Sequence, residues 1–351
     1  MDKLRKLYCS LNEYNPLIVD RYERVPSALA NNNAYEAEVS GYLYNEGFRP
    51  VYKDGKKFAV CFSHDIDFIH EPKNKNSFFI STIQSLKRGK FQKVIYNSKN
   101  LLSKFQNPEW DLNRLIDIEE KHNILSTYYF LCLQNGEQDF NYTIESQLKS
   151  IGYLKQAGYE IGLHGGHEAY SNIEKMLIEK QRLENITGEN TKGYRNHYLR
   201  FKIPGTWYAL LQHGFSYDTS FGFAEQLGFR NGMCYPFRPY DPFKKAYIDI
   251  LELPLIAMDV TFFKYMGLTV NSAFRLFLLI YEKVKKLAGA LTIVWHNNQL
   301  DGEYGLLYNK IIQKIIEEED AWVTTSLQLT DWWKENNLSK MEDILNDSIL
   351  L

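Results

Sequence analysis

The sequence predicts an α/β fold, a distorted (β/α) barrel of about seven to eight parallel strands. Two observations predict it. Short apolar runs alternate along the chain with amphipathic stretches, the pattern of βα units around a parallel sheet. And the apolar runs end, again and again, in histidines, acids or an arginine, as strands do where they open onto the active face of a barrel.

The candidate strands, in order, are 58–64 (FAVCFSH), 126–133 (STYYFLCL), 159–164 (YEIGLH), 192–198 (KGYRNHY), 215–220 (FSYDTS), 249–258 (DILELPLIAM), 290–296 (ALTIVWH) and 321–327 (AWVTTSL). Most are apolar runs rich in β-branched or aromatic residues, as strands buried on both faces are. Between them, segments 77–106, 111–122, 143–157, 172–187, 204–213, 271–287 and 303–319 carry apolar residues at helical spacing. Pro204 stands at a helix start, and Gly158 and Gly214 follow helix ends. Residues 1–55 are less regular and are expected to pack on the barrel as an extension. The barrel is expected to span 56–335, with 336–351 as a tail.

Composition narrows the class. Of 351 residues, 44% are hydrophobic and 24% charged, and the net charge is −2, so no overall field recruits nucleic acid. The 25 Tyr, 21 Phe and 6 Trp are read first as an aromatic core and only second as a sugar-binding surface. Four scattered cysteines (9, 61, 132 and 234) contain no CxxC pair and fit a reducing compartment. No stretch has the length of a signal-peptide core or a transmembrane helix, so a cytoplasmic protein is expected.

The stretch FAVCFSHDIDF (58–68) raises the question of chemistry. An apolar run ends in His64, Asp65 and Asp67. By itself this could open a surface loop with solvated acids. If the extended path continues, Asp65 and Asp67 share a face. Other strand ends carry His164 and His167, Arg195 and His197, Asp218, and His296. Five of the eight histidines thus fall at equivalent positions, which a solvated loop does not account for.

In sequence order these ends resemble the five motifs of the polysaccharide deacetylases of carbohydrate esterase family four, over about residues 58–330. The first is Ser63-His64-Asp65-Ile66-Asp67. The second is His164-Gly165-Gly166-His167, with histidines three apart where the family usually has four. The third is Arg195-Asn196-His197-Tyr198, with His197 in place of the usual proline. The fourth is Asp218-Thr219-Ser220 and the fifth Val294-Trp295-His296. The sequence looks like a divergent subgroup with a His-Asp-x-Asp signature, one associated with surface-polysaccharide biosynthesis.

The resemblance implies a metal-dependent hydrolase that removes an N-acetyl group from a sugar of a polysaccharide or glycan precursor. It makes Asp65 the general base and Asp67 a metal ligand. Arg195 would hold Asp65 ionised, His296 would be the general acid, and Asp218 would keep His296 protonated. The backbone N–H of Tyr198 would serve the oxyanion. Two imidazoles and a carboxylate suit zinc, and also cobalt, nickel or iron. Asp67 and His164 are expected ligands. The third is expected to be His197, on a strand end, with His167 as substitute, because Gly165 and Gly166 leave its imidazole poorly fixed. Arg230, Trp207 and Tyr240 are candidate sugar contacts, Arg230 and Tyr240 from the Gly-, Arg- and aromatic-rich stretch 222–241. The basic segment 77–106, with six Lys or Arg and no acid, offers peripheral contact with an anionic membrane.

Two rival readings stay open. One is a carbohydrate-binding pseudoenzyme that keeps the barrel without turnover, motivated by the altered second and third motifs. The other is a glycosidase using Asp65 and a second acid.

Overall fold

The computed structural model of the protein describes residues 2–30, 33–69, 110–134, 137 and 141–350. The basic segment 77–106 lies outside the described residues. The strands are β1 (Phe58–Ile66), β2 (Thr127–Leu131), β3 (Glu160–Gly165), β4 (Gly193–Asn196), β5 (Tyr217–Asp218), β6 (Tyr240–Asp241), β7 (Ala246–Tyr247), β8 (Leu251–Glu252), β9 (Ala257–Met258), β10 (Ala290–Val294) and β11 (Ala321–Val323). Eight of them follow one another as β8-β5-β4-β3-β2-β1-β10-β9, all ladders parallel, and β11 pairs with the first residues of β1. β6 and β7 form a separate antiparallel hairpin. The curled parallel sheet with helices around it is the distorted (β/α) barrel that the alternation of elements predicts.

β1 and β2 are buried along their whole length, as strands covered on both faces must be. Alternation then sorts β1 into two faces. His64 points to the helix side. There Glu119, on α3 (Trp110–Lys121), accepts hydrogen bonds from Ser126 Oγ (2.8 Å) and Tyr128 OH (2.6 Å) and lies 2.8 Å from His64 Nε2. Ser63 and Asp65 point inward. His64, one of the five histidines at strand ends, therefore ties a helix to the sheet.

The run 249–258, read as one strand, is two. Pro254 cannot donate to a ladder, and the chain changes partner around it: β8 pairs with β5, β9 with β10. These are the two ends of the sheet, and residues 253–256 join one to the other. Leu253 N–H donates to Asp218 O (2.9 Å) and Ile256 N–H to Thr292 O (3.3 Å).

The helices include α1 (Asp2–Tyr8), α2 (Glu38–Asn45), α4 (Leu148–Gln156), α5 (Ile173–Thr187), α6 (Gly205–Gln212), α7 (Val270–Lys286), α8 (Gly302–Ile316), α9 (Ser326–Asn336) and α10 (Leu338–Leu345). Those from α3 to α8 follow the expected segments closely, whereas α1, α2, α9 and α10 lie where no helix was expected. The side chains of Asn172, Thr269 and Thr325 cap α5, α7 and α9. In the C-terminal segment, Met341 and Leu345 of α10 are buried.

The stretch 222–241, expected to shape the substrate pocket, is largely buried instead. Phe237 exchanges two backbone hydrogen bonds with Glu252, at 2.8 and 3.0 Å, and so covers the free edge of β8. Residues of the N-terminal extension clamp it. Phe229 N–H donates to Ala34 O (2.7 Å), Val39 N–H to Gly232 O (3.0 Å), and Tyr8 OH to Arg238 O (2.7 Å).

Candidate metal and hydrolytic site

Asp67, His164 and His197 come together at the C-terminal ends of β1, β3 and β4. Asp67 Oδ1 lies 3.2 Å from His164 Nε2 and 3.4 Å from His197 Nδ1, and the two nitrogens are 3.1 Å apart. A tetrahedral zinc with bonds near 2.0–2.1 Å separates its ligand atoms by about 3.3 Å, so the triangle has the right size for such an ion. His164 Nδ1 lies 2.9 Å from Arg195 O. Donation to that carbonyl leaves the Nε2 lone pair turned to the triangle, as metal-binding histidines require. Asp67 Oδ1 is buried and makes no hydrogen bond among the described residues. A buried carboxylate oxygen without a donor is costly, and a cation at the triangle removes that cost. The donor set therefore fits a divalent metal.

His167 is held elsewhere. Arg200 donates to His167 Nδ1 and, at 2.7 Å, to its carbonyl, while its other nitrogen reaches Glu23 (2.7 Å) and Tyr170 OH (3.1 Å). The two glycines before it have a packing reason. A Cβ on Gly165 would run into the Tyr194 ring, and one on Gly166 into Leu133 and Glu179.

Asp65 sits beside the triangle and is locked by Arg195, whose Nη1 donates to Asp65 Oδ1 at 2.8 Å. Arg195 is buried; it also donates to Ser63 Oγ (2.9 Å) and Thr219 Oγ1 (3.0 Å from Nε) and lies over the Tyr129 ring. Burial pushes the Asp65 carboxyl up, but Arg195, His164 and His296 outweigh it and hold the group below its ordinary value. Burial also acts on Asp67, and the His197 and His164 imidazoles hold it lower still.

His296 faces the triangle from the far side, with Nε2 3.7 Å from Asp67 Oδ2. Its Nδ1–H donates to Asp259 Oδ1 at 2.7 Å, and its backbone N–H to Asp259 Oδ2 at 2.7 Å. Burial lowers the imidazole, but the Asp259 carboxylate outweighs this and pushes it up to about 10. Asp259, not Asp218, is thus the partner of His296. Asp218 lies across the sheet, accepting from Ser220 N–H (2.9 Å) and Oγ (2.7 Å), beside Glu252 on the paired strand. Burial raises both acids, and Glu252, next to Asp218, is held well above the usual range as the protonated member.

Tyr198 follows His197 in a turn where Tyr198 and Leu199 both take left-handed backbone, with φ of 60° and 55°. Two such residues without glycine store strain of about 1–3 kcal/mol each. Arg24 donates to Tyr198 O at 3.0 Å, and Tyr22 stacks on the Tyr198 ring. With Asp65, Asp67, His164, His197 and His296, Tyr198 lines a cavity of about 190 Å³, whose other walls include Arg24, Lys264 and Tyr265.

The three expected sugar contacts are not in this cavity's lining. Arg230 is buried in an ion pair with Glu13 of the N-terminal extension (Nε to Oε2, 3.1 Å) and donates to Gly222 O (2.9 Å). Trp207 donates from its indole to Glu252 (2.8 Å). Tyr240 packs on Tyr247 in the hairpin.

No family model matches the chain, and no curated protein matches it. Solved structures do. A Mycobacterium smegmatis protein assigned as a polysaccharide deacetylase aligns at 18% identity and TM-score 0.54, covering 83% of this chain and 95% of that one. A Pseudomonas aeruginosa PAO1 protein assigned likewise aligns at 12% identity and TM-score 0.54, covering 92% and 98%. Puue allantoinase aligns at 15% identity and TM-score 0.56, covering 81% and 92%. The chain has the fold of the polysaccharide deacetylases.

Proposed function

We propose that the protein is a metal-dependent hydrolase that removes the N-acetyl group from a sugar of a polysaccharide or glycan precursor, releasing acetate and the free amine. The observation that carries this reading is the arrangement of three different groups around one small cavity: the triangle of Asp67, His164 and His197, the arginine-held Asp65, and the aspartate-held His296.

Asp67, His164 and His197 would hold a divalent cation, zinc above others for this donor set, which would lower the pKa of a water and polarise the amide carbonyl, and Asp65 is the carboxylate placed to take the water's proton. Arg195 keeps Asp65 ionised and fixes its orientation. Asp259 keeps His296 protonated at neutral pH, so Nε2–H is the proton available to the departing nitrogen. Water adds to the carbonyl carbon, the C–N bond breaks, Asp65 has gained one proton and His296 has lost one. The backbone N–H of Tyr198, in the strained turn beside His197, is assigned to the carbonyl oxygen as negative charge develops.

The test is to measure bound metal in protein purified without added metal, then acetate release from acetylated sugars, oligosaccharides and nucleotide sugars. Metal-loaded protein that releases no acetate from any of them would favour the carbohydrate-binding reading.

A further inference from the structure

The loop before the pocket wall carries an aliphatic tip. Leu17 is 101% exposed, Ile18 58% and Val19 43%. Three consecutive large aliphatic side chains in water are unfavourable, and such a patch marks a surface that meets another apolar phase.

The tip is firmly mounted. Asp20 accepts from the backbone N–H of Tyr22 (2.8 Å) and Arg24 (3.0 Å) and from Arg24 Nε (2.8 Å), closing a tight turn. That turn is joined to the mouth of the cavity. Tyr22 stacks on Tyr198 with centroids 4.3 Å apart, and Arg24 lies between Tyr198 O and the Tyr265 ring. Where the tip goes, the mouth of the pocket follows.

The charges around the tip are one-sided. Asp20 is taken up by Arg24, and Glu23 by Arg200 and Tyr170. Arg21, in the turn, and Lys264, at the cavity wall beside Tyr265, are exposed and have no acidic partner among the described residues. An aliphatic tip, tyrosines behind it, one unmatched cation in its turn and another at the pocket wall are the composition of a segment that sits at a lipid–water interface.

We infer that this loop docks the mouth of the pocket onto a lipid surface with anionic headgroups, inserting Leu17, Ile18 and Val19 while Arg21 and Lys264 meet the headgroups. The docking stands independently of the reaction. That the pocket then meets substrates presented at that surface is a corollary that rests on the hydrolase reading.

The test is co-sedimentation of the full chain with vesicles of phosphatidylcholine, with and without phosphatidylglycerol. The wild type should bind the mixed vesicles. Leu17→Asp/Ile18→Asp should weaken that binding by about tenfold or more. Arg21→Glu/Lys264→Glu should abolish the preference for phosphatidylglycerol. All four side chains are exposed, and circular dichroism checks that the variants fold. Three results overturn the inference: a wild type that binds neither vesicle, an aliphatic variant that binds as the wild type does, or a wild type that self-associates in sedimentation velocity through a contact the aliphatic variant removes.

Discussion

His296 and Asp259 share two hydrogen bonds of 2.7 Å, one from the imidazole Nδ1–H and one from the histidine's own backbone N–H. The carboxylate therefore fixes both where the ring stands and its charge. A group raised to about 10 is protonated at neutral pH, and its acid form is lost only as pH rises through that value. Asp259→Asn removes the largest of the charges that raise it, ahead of Asp67 and Asp65, so the alkaline limb of the kcat profile should move down toward neutrality, with kcat reduced about 10²–10⁴-fold at pH 8 and above. Asp218→Asn should leave the position of that limb unchanged. A shift with Asp218→Asn and none with Asp259→Asn would reverse the assignment.

Asp65→Asn should keep the metal and lose about 10²–10⁴-fold of turnover. Metal analysis alongside acetate release separates a base from a ligand: loss of metal in this variant would make Asp65 part of the coordination set.

His197→Ala should strip the metal, since it removes one corner of the triangle, whereas His167→Ala should retain it, because Arg200 holds that imidazole apart. Metal uptake should also release protons. Burial lowers His164, but Asp65 and Asp67 outweigh it and raise the group above 6.5, so an incoming cation competes with a proton there. Titration in two buffers of different ionisation enthalpy reads the proton release directly.

Glu119→Ala should destabilise the fold by about 3–5 kcal/mol in denaturant titrations, because His64, Ser126 and Tyr128 all lose their buried partner at once. The site residues are not touched, so the metal content of the folded fraction should stay at the wild-type level.

Much of this was legible in the sequence, because a parallel barrel writes its strands as apolar runs and its site as the polar residues that end them. Asp67, His164, His197, Arg195 and His296 all obey that rule. Asp259 obeys it too: it directly follows the run 249–258, and Pro254 within that run marks the change of ladder that gives it its own strand end. Reading the run as one strand that stopped at Met258 missed it. Arg230 was misread for a different reason. A Gly-, Arg- and aromatic-rich stretch looks the same whether it rims a pocket or packs under a terminal extension, and its partner Glu13 is 217 residues away. Nothing local announces that distance. Ser63 and Thr219, which orient Arg195, carry no local signal of that role, since a hydroxyl shows its part only once its donor is in view.

The cover over β8 carries a consequence for handling the protein. A parallel sheet whose last strand has a bare edge invites another chain to add to it. Here Phe237 occupies that edge, and Tyr8, Glu13, Ala34 and Val39 hold the covering segment in place. A chain trimmed of its first fifty-odd residues would still contain every group of the triangle, with Asp65, Asp259 and His296. It would nonetheless be expected to clump, since strand would meet strand at the uncovered edge, and light scattering would rise before any chemistry was lost.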